Sequence, residues 1–172
     1  MMDWSATEDA LQAAVARVSG LTGDRVRWSR ASRDQPASTG DVIVLECRDE
    51  QTDGPEFEFA LVPGGGSPGE ELEYSTTEQV DFRLVVDVYS MVVGGAWSRL
   101  ARVRRSIWLQ SAQDELTASN LAFVDSSNPI HLPILLETEY RDRAWMEIRV
   151  RAVDGASELG TFIETAEIGD NL

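Results

Sequence analysis

Residue types able to do chemistry are few in this 172-residue chain and poorly grouped. His131 is the only histidine, set in NPIHLP, with no cysteine or carboxylate beside it at metal-ligand spacing. Any Ser-His-Asp arrangement would have to use it, yet no Gly-x-Ser-x-Gly elbow presents a serine. Glu137 and Glu139 share a strand face and could mimic a glycosidase pair, although two carboxylates on a half-polar strand are more often simply solvated. Cys47, the single cysteine, sits in the apolar run VIVLEC and reads as a small buried hydrophobe. PGGGSPG at 63–69, with Gly64, Gly65 and Gly66, is no phosphate cradle: no Gly-Lys-Ser/Thr follows and no helix begins there. These residues give no catalytic, cofactor or metal assignment.

A different chemistry is concentrated at 99–105, where Arg99, Arg102, Arg104 and Arg105 place four of the chain's fifteen bases in seven residues. They fall on an expected helix at 96–112 whose core stripe is Ala96, Leu100, Val103 and Ile107, with Trp97 and Trp108 at its margin. Arg104 lies four residues before Trp108, a spacing that allows it to stack on the indole. The face is either a solvated basic surface or a subunit interface docking on acidic segments of a neighbouring copy, such as Asp49-Glu50 or Glu70-Glu71. A patch that meets a different, complementary patch closes into a ring when the rotation allows. Glu164 joins the candidate interface because it alternates onto the face of Phe162, Ala166 and Ile168, where a carboxylate needs a partner or an edge.

Thirty acids against fifteen arginines, with no lysine, give a formal charge of −15. A protein that grips phosphates needs the opposite sign. No apolar run approaches the ~20 residues that cross a bilayer, so no membrane span is expected. The start, MMDWSATEDAL, is acidic and unlike a secretory signal. A lone cysteine fits folding in a reducing cytoplasm.

The elements that must position these residues follow from periodicity. Ser5 and Glu8 have capping-box spacing and Gly20 supplies a stop, which predicts a helix at about 6–19. Strands are expected at 25–29, at 41–48, over Phe57, Phe59 and Leu61, at 71–74, at 80–92 and at 121–124. The cleanest alternation sets Val80, Phe82, Leu84, Val86 and Val88 against Asp81, Arg83, Asp87 and Tyr89. From 143 to 153 the even positions are apolar, and the last quarter reads as two alternating strands about a polar turn. The glycine-rich 63–69 reads as a mobile hairpin tip. The fold expected is α+β in one domain over 1–172: a mostly antiparallel or mixed β-sheet with two α-helices packed on one face.

The wording of the last quarter is more particular than its periodicity. Leu-Leu-Glu-Thr at 135–138, Arg-x-Arg-Ala at 141–144 and Ile-Glu-Thr-x-Glu-Ile at 163–168 resemble the neck and tail-terminator proteins of tailed bacteriophages. SGLTGDRVRWS at 19–29 is similar to that family's first helix and strand, and DFRLVVDVYSM at 81–91 to its central strand. The stretch 49–77 departs most. The resemblance implies a structural virion protein without a cofactor, forming a ring of commonly six copies on the last tail-tube ring. Such a ring ends tail polymerisation, offers the head connector a docking surface, and lets DNA pass its channel without specific binding. A head-closure or adaptor ring of the same neck is the neighbouring alternative. A small cytoplasmic hydrolase using Glu137, Glu139 or His131 is the alternative from another class.

Overall fold

A computed structural model describes residues 3–31, 40–52, 54, 56–61, 71–136 and 139–161. The chain runs α1 (Trp4–Ser19), β1 (Val26–Trp28), β2 (Val42–Thr52), β3 (Glu56–Leu61), β4 (Glu71–Ser90), α2 (Gly95–Ser106), α3 (Gln110–Thr117), β5 (Leu121–Ser126), β6 (Ile130–His131), β7 (Ile134–Leu136) and β8 (Glu139–Thr161). The sheet order is β1-β2-β4-β8-β5, with β3 on β4 and with β6 and β7 on β8. Among the described residues only the β1–β2 pair is parallel. This is the expected α+β fold with a mixed sheet.

The first helix begins earlier than its capping-box spacing suggests. The Asp3 carboxylate accepts from the backbone N–H of Ser5 and of Ala6, satisfying two otherwise orphaned donors, so Asp3 is the N-cap. Glu8 instead pairs with Arg30. At the other end Gly20 adopts φ 72° and donates to Ala16, as does Leu21, closing the helix as its sequence predicts.

The expected helix at 96–112 is two helices, which makes three α-helices among the described residues. At 100° per residue Ala96, Leu100, Val103 and Ile107 stay within one narrow stripe, but Ala112 and Leu116 would point to the other side of a straight helix. All six are buried, so the chain must turn between them. Leu109, extended at ψ 140°, makes that turn, and the Gln113 side chain donates to the freed Ile107 carbonyl.

The strands expected at 71–74 and 80–92 are one strand of twenty residues, β4. The intervening STTEQ carries no apolar alternation, but its backbone is paired by β8 throughout and by β3 at Ser75, Thr76 and Thr77. β8 likewise runs unbroken for twenty-three residues across Val153-Asp154-Gly155, where a turn was expected, because it stays in register with β4 from Asp142 to Thr161. Tertiary pairing overrides a local turn signal here.

The core lies between the helices and one face of the sheet. Val80, Phe82, Leu84, Val86 and Val88 of β4 meet Ala144, Met146, Ile148, Val150 and Ala152 of β8, beneath Leu11, Val15, Leu100, Val103, Ile107 and Leu116. On the two long strands residues 75–79 and 153–156, next beyond Val80 and Ala152, are no longer buried, and both strands continue for about nine residues. At ~3.3 Å per residue, that continuation with β3 forms a three-stranded arm roughly 30 Å long.

Candidate assembly surface

The four clustered arginines separate into two groups. Arg99 serves its own subunit: its guanidinium bonds Asp41 Oδ2 through Nε at 3.1 Å and Nη2 at 2.5 Å, and the Ser19 carbonyl through Nη1 at 3.0 Å. It therefore ties α2 to the C-terminus of α1 and to the start of β2. Burial works to raise the Asp41 pKa, but hydrogen bonds from Ser90 and Arg99 outweigh it and hold the carboxyl below its usual value.

Arg102, Arg104 and Arg105 have no ion-pair partner among the described residues. Arg102 is exposed, and its guanidinium lies over Gly20, 3.1 Å from where a Cβ would stand. Arg105 is exposed and bonds only the Ala101 carbonyl of its own helix, at 3.2 Å. Arg104 is half-buried, but the expected stacking on Trp108 is not made; the cation–π contact among the described residues is Arg143 over Tyr89 at 5.4 Å. Trp97 on α2 and Trp108 in the turn after it are 43% and 46% exposed, large areas for tryptophans. Among the described residues, α2 thus carries three arginines without an ion partner and the exposed indole of Trp97, and Trp108 is exposed in the turn that follows the helix.

Elsewhere arginines find partners. On the sheet face away from the helices, Arg149 and Arg151 both bond Asp81, and Arg143 grips Asp87 through Nε at 3.0 Å and Nη2 at 2.6 Å. The hydrogen bond from Arg151 and the nearby charge of Arg149 hold Asp81 at a pKa of about 2. The Asp87 contact raises that of Arg143.

The start of α2 is fixed by a residue the sequence did not single out. Asp142 of β8 is wholly buried; its Oδ2 accepts from the Ala96 backbone N–H at 2.9 Å and its Oδ1 meets His131 Nε2 at 2.5 Å. His131 lies in β6 rather than a loop, and its ring stands edge-on to Trp97, with centroids 6.3 Å apart. Asp142 therefore sits between His131 and a helix terminus, and Ser90 Oγ accepts from the Val92 N–H. A hydrolytic triad needs the imidazole between carboxylate and hydroxyl. A spacing search could not find the clasp, because His131, Asp142 and Ala96 meet only through the sheet.

Next to the clasp, Met91, Val92, Val93, Trp97, Ile130 and Leu132 expose apolar side chains at the same end of the sheet. A concentration of exposed apolar groups of this kind makes this end a candidate contact surface. Glu164, Glu137, Gly64, Gly65 and Gly66 lie outside the described residues. Glu139 is in register with Leu136 in the β7–β8 turn, with its side chain outside the described residues.

A small α+β subunit with its unpaired cations, indoles and apolar residues displayed on the surface has the character of a structural protein. The chain belongs to the phage neck terminator protein family, whose sequence profile matches residues 5–171. No curated protein sequence matches it. Membership makes it a structural component of the phage neck that associates with other tail and head–tail proteins, and a structural family speaks for a non-enzymatic role. No helix among the described residues is long and apolar enough to cross a membrane.

Proposed function

We propose that the protein forms a closed ring, with six copies as the expected number, which seats on the last ring of the tail tube, ends tail polymerisation and presents a docking surface to the head connector. The observation that carries this reading is the α2 face: Arg102, Arg104 and Arg105 lack ion partners among the described residues, in a chain with twice as many acids as bases. Unpaired guanidinium groups beside exposed indoles are typical of protein contacts, where arginine and tryptophan dominate binding energy. The helix face serves side-to-side contacts in the ring, and the apolar end beside Trp97 supplies area for a protein stacked above or below. Capping needs no covalent step: one ring face fits the tube, and the other does not accept a further tube subunit. DNA passes the channel without specific binding, since an acidic chain repels phosphate and no motif reaches a groove.

Light scattering behind size exclusion tests the ring contact. Arg102→Glu with Arg105→Glu should lower the assembled mass while the circular dichroism spectrum and thermal midpoint stay near wild type, because exposed charges contribute little to folding. An unchanged assembly would remove α2 from the interface.

A further inference from the structure

The charge of this chain is strongly segregated. Stretches 49–82 and 152–172 hold fifteen of the thirty acidic residues and none of the fifteen arginines, so the whole formal charge of −15 belongs to them and the remainder is neutral. The arm strands fall inside these stretches: β3, residues 71–79 of β4 and residues 153–161 of β8.

The two faces of the arm differ. Glu56 and Glu58 are exposed and stand opposite Thr77 and Ser75, on the face that over the body carries Asp81 and Asp87. Over the body those carboxylates are matched by Arg143, Arg149 and Arg151; along the arm the sequence provides no base at all. On the opposite face the register aligns positions 57, 59 and 61 with 76, 74 and 72, in line with buried Val80 and Phe82. In sequence these are Phe57, Phe59, Leu61, Thr76, Tyr74 and Leu72, and the register adds the acids Glu78, Asp154 and Glu158 to the same side. Among the described elements β3 packs chiefly on β4, and the helices cover the other half of the sheet. An arm that carries acids along both faces and no base calls for a surface rich in cations.

The α2 face has that complement: three arginines without ion partners among the described residues, on a helix followed by Trp108 and Leu109, which are 46% and 58% exposed. We infer that the arm of one copy lies along the α2 face of the next, with its glutamates against Arg102, Arg104 and Arg105. This rests on the ring reading and names both halves of its contact. Two different patches meeting give a heterologous interface, the kind that builds rings. The reach suffices: an arm of roughly 30 Å compares with a body about 35 Å across, from a radius of gyration of about 14 Å for some 130 residues. Matched charge also sets direction, because arm against arm or helix against helix is repulsive.

A reciprocal charge swap, read by sedimentation velocity over a concentration series up to the solubility limit, tests the inference. Glu56→Arg with Glu58→Arg should raise the concentration needed for assembly at least tenfold, as should Arg102→Glu with Arg105→Glu. The chain carrying all four changes should recover most of the loss, with circular dichroism confirming each fold. If the arginine reversal weakens assembly but the arm reversal does not, the arm is not the counterpart, although the α2 interface stands. A four-fold variant no better than either parent likewise overturns the pairing. If neither reversal has an effect, or the wild type stays monomeric throughout, the ring contact itself fails and the inference with it.

Discussion

Replacing Asp142 by alanine should loosen the start of α2, the helix on which the proposed interface depends. The carboxylate is wholly buried and bonds the Ala96 N–H at 2.9 Å within the first turn of the helix. Leaving that donor without an acceptor costs about 1–3 kcal/mol. A negative charge at a partly buried helix N-terminus contributes up to about 2 kcal/mol more. The two overlap, so a loss of about 3 kcal/mol is expected, near the top of the range for a hydrogen bond to a charged group. With a urea slope of about 2 kcal/mol per molar, the unfolding midpoint should fall by about 1.5 M. Asp142→Asn keeps an acceptor for Ala96 and loses the charge, so about 1 kcal/mol is expected. His131→Ala removes a side chain 40% open to solvent but leaves the buried Asp142 Oδ1 without that partner, so about 1–2 kcal/mol is expected, with water entering from the open side. Urea titration followed by circular dichroism gives the three midpoints, and tryptophan fluorescence reports on Trp97 beside the clasp. A midpoint for Asp142→Ala within about 0.3 M of wild type would refute the argument that this carboxylate anchors the helix.

Three further outcomes follow from the same geometry. Asp81→Asn should destabilise by about 1–2 kcal/mol at neutral pH, allowing for solvent at half-exposed Arg149. Because the folded pKa is depressed to about 2, this stabilisation is complete above the unfolded value near 4 and is lost toward pH 2, so wild-type and variant melting curves should converge over that window. Leu100→Ala empties a fully buried site on the core stripe of α2 and should cost about 3 kcal/mol in denaturant titration; a cost below about 1 would mean that the helix is not packed as described. Burial pushes the Cys47 thiol up to about 12, so alkylation at pH 8 should be slow in the native protein and rise sharply on unfolding, as followed by mass spectrometry.

Much of the fold was legible because its strongest signals are periodic. The alternation from Val80 to Val88 and the even positions from Ala144 to Ala152 became the two central strands, and Gly20 ended the first helix. Signals that depend on absent apolar residues misled. STTEQ and Val153-Asp154-Gly155 look like breaks, yet strand pairing carries both chains straight through, and the arm that results could not be seen in either stretch alone. The break after Ile107 lacked a proline or glycine; it arises because Ala112 and Leu116 must face the core from another angle.

The candidate surface was partly legible. Counting arginines found α2, but which of them were already matched depended on contacts far apart in sequence: Arg99 meets Asp41, fifty-eight positions away. The Asp142 clasp was hidden for the same reason, being assembled from β6, β8 and α2. The resemblance read from 135–144, 163–168 and two earlier passages pointed to the family whose profile covers nearly all of the chain.

The central claim, that this subunit caps the tail tube, is tested most directly by tail length. Electron microscopy of tails assembled in cells where the phage gene carries a stop codon should show overlong tubes of variable length without attached heads, and restoring the protein should return one uniform length. Tails of wild-type, uniform length made without the protein would contradict the account.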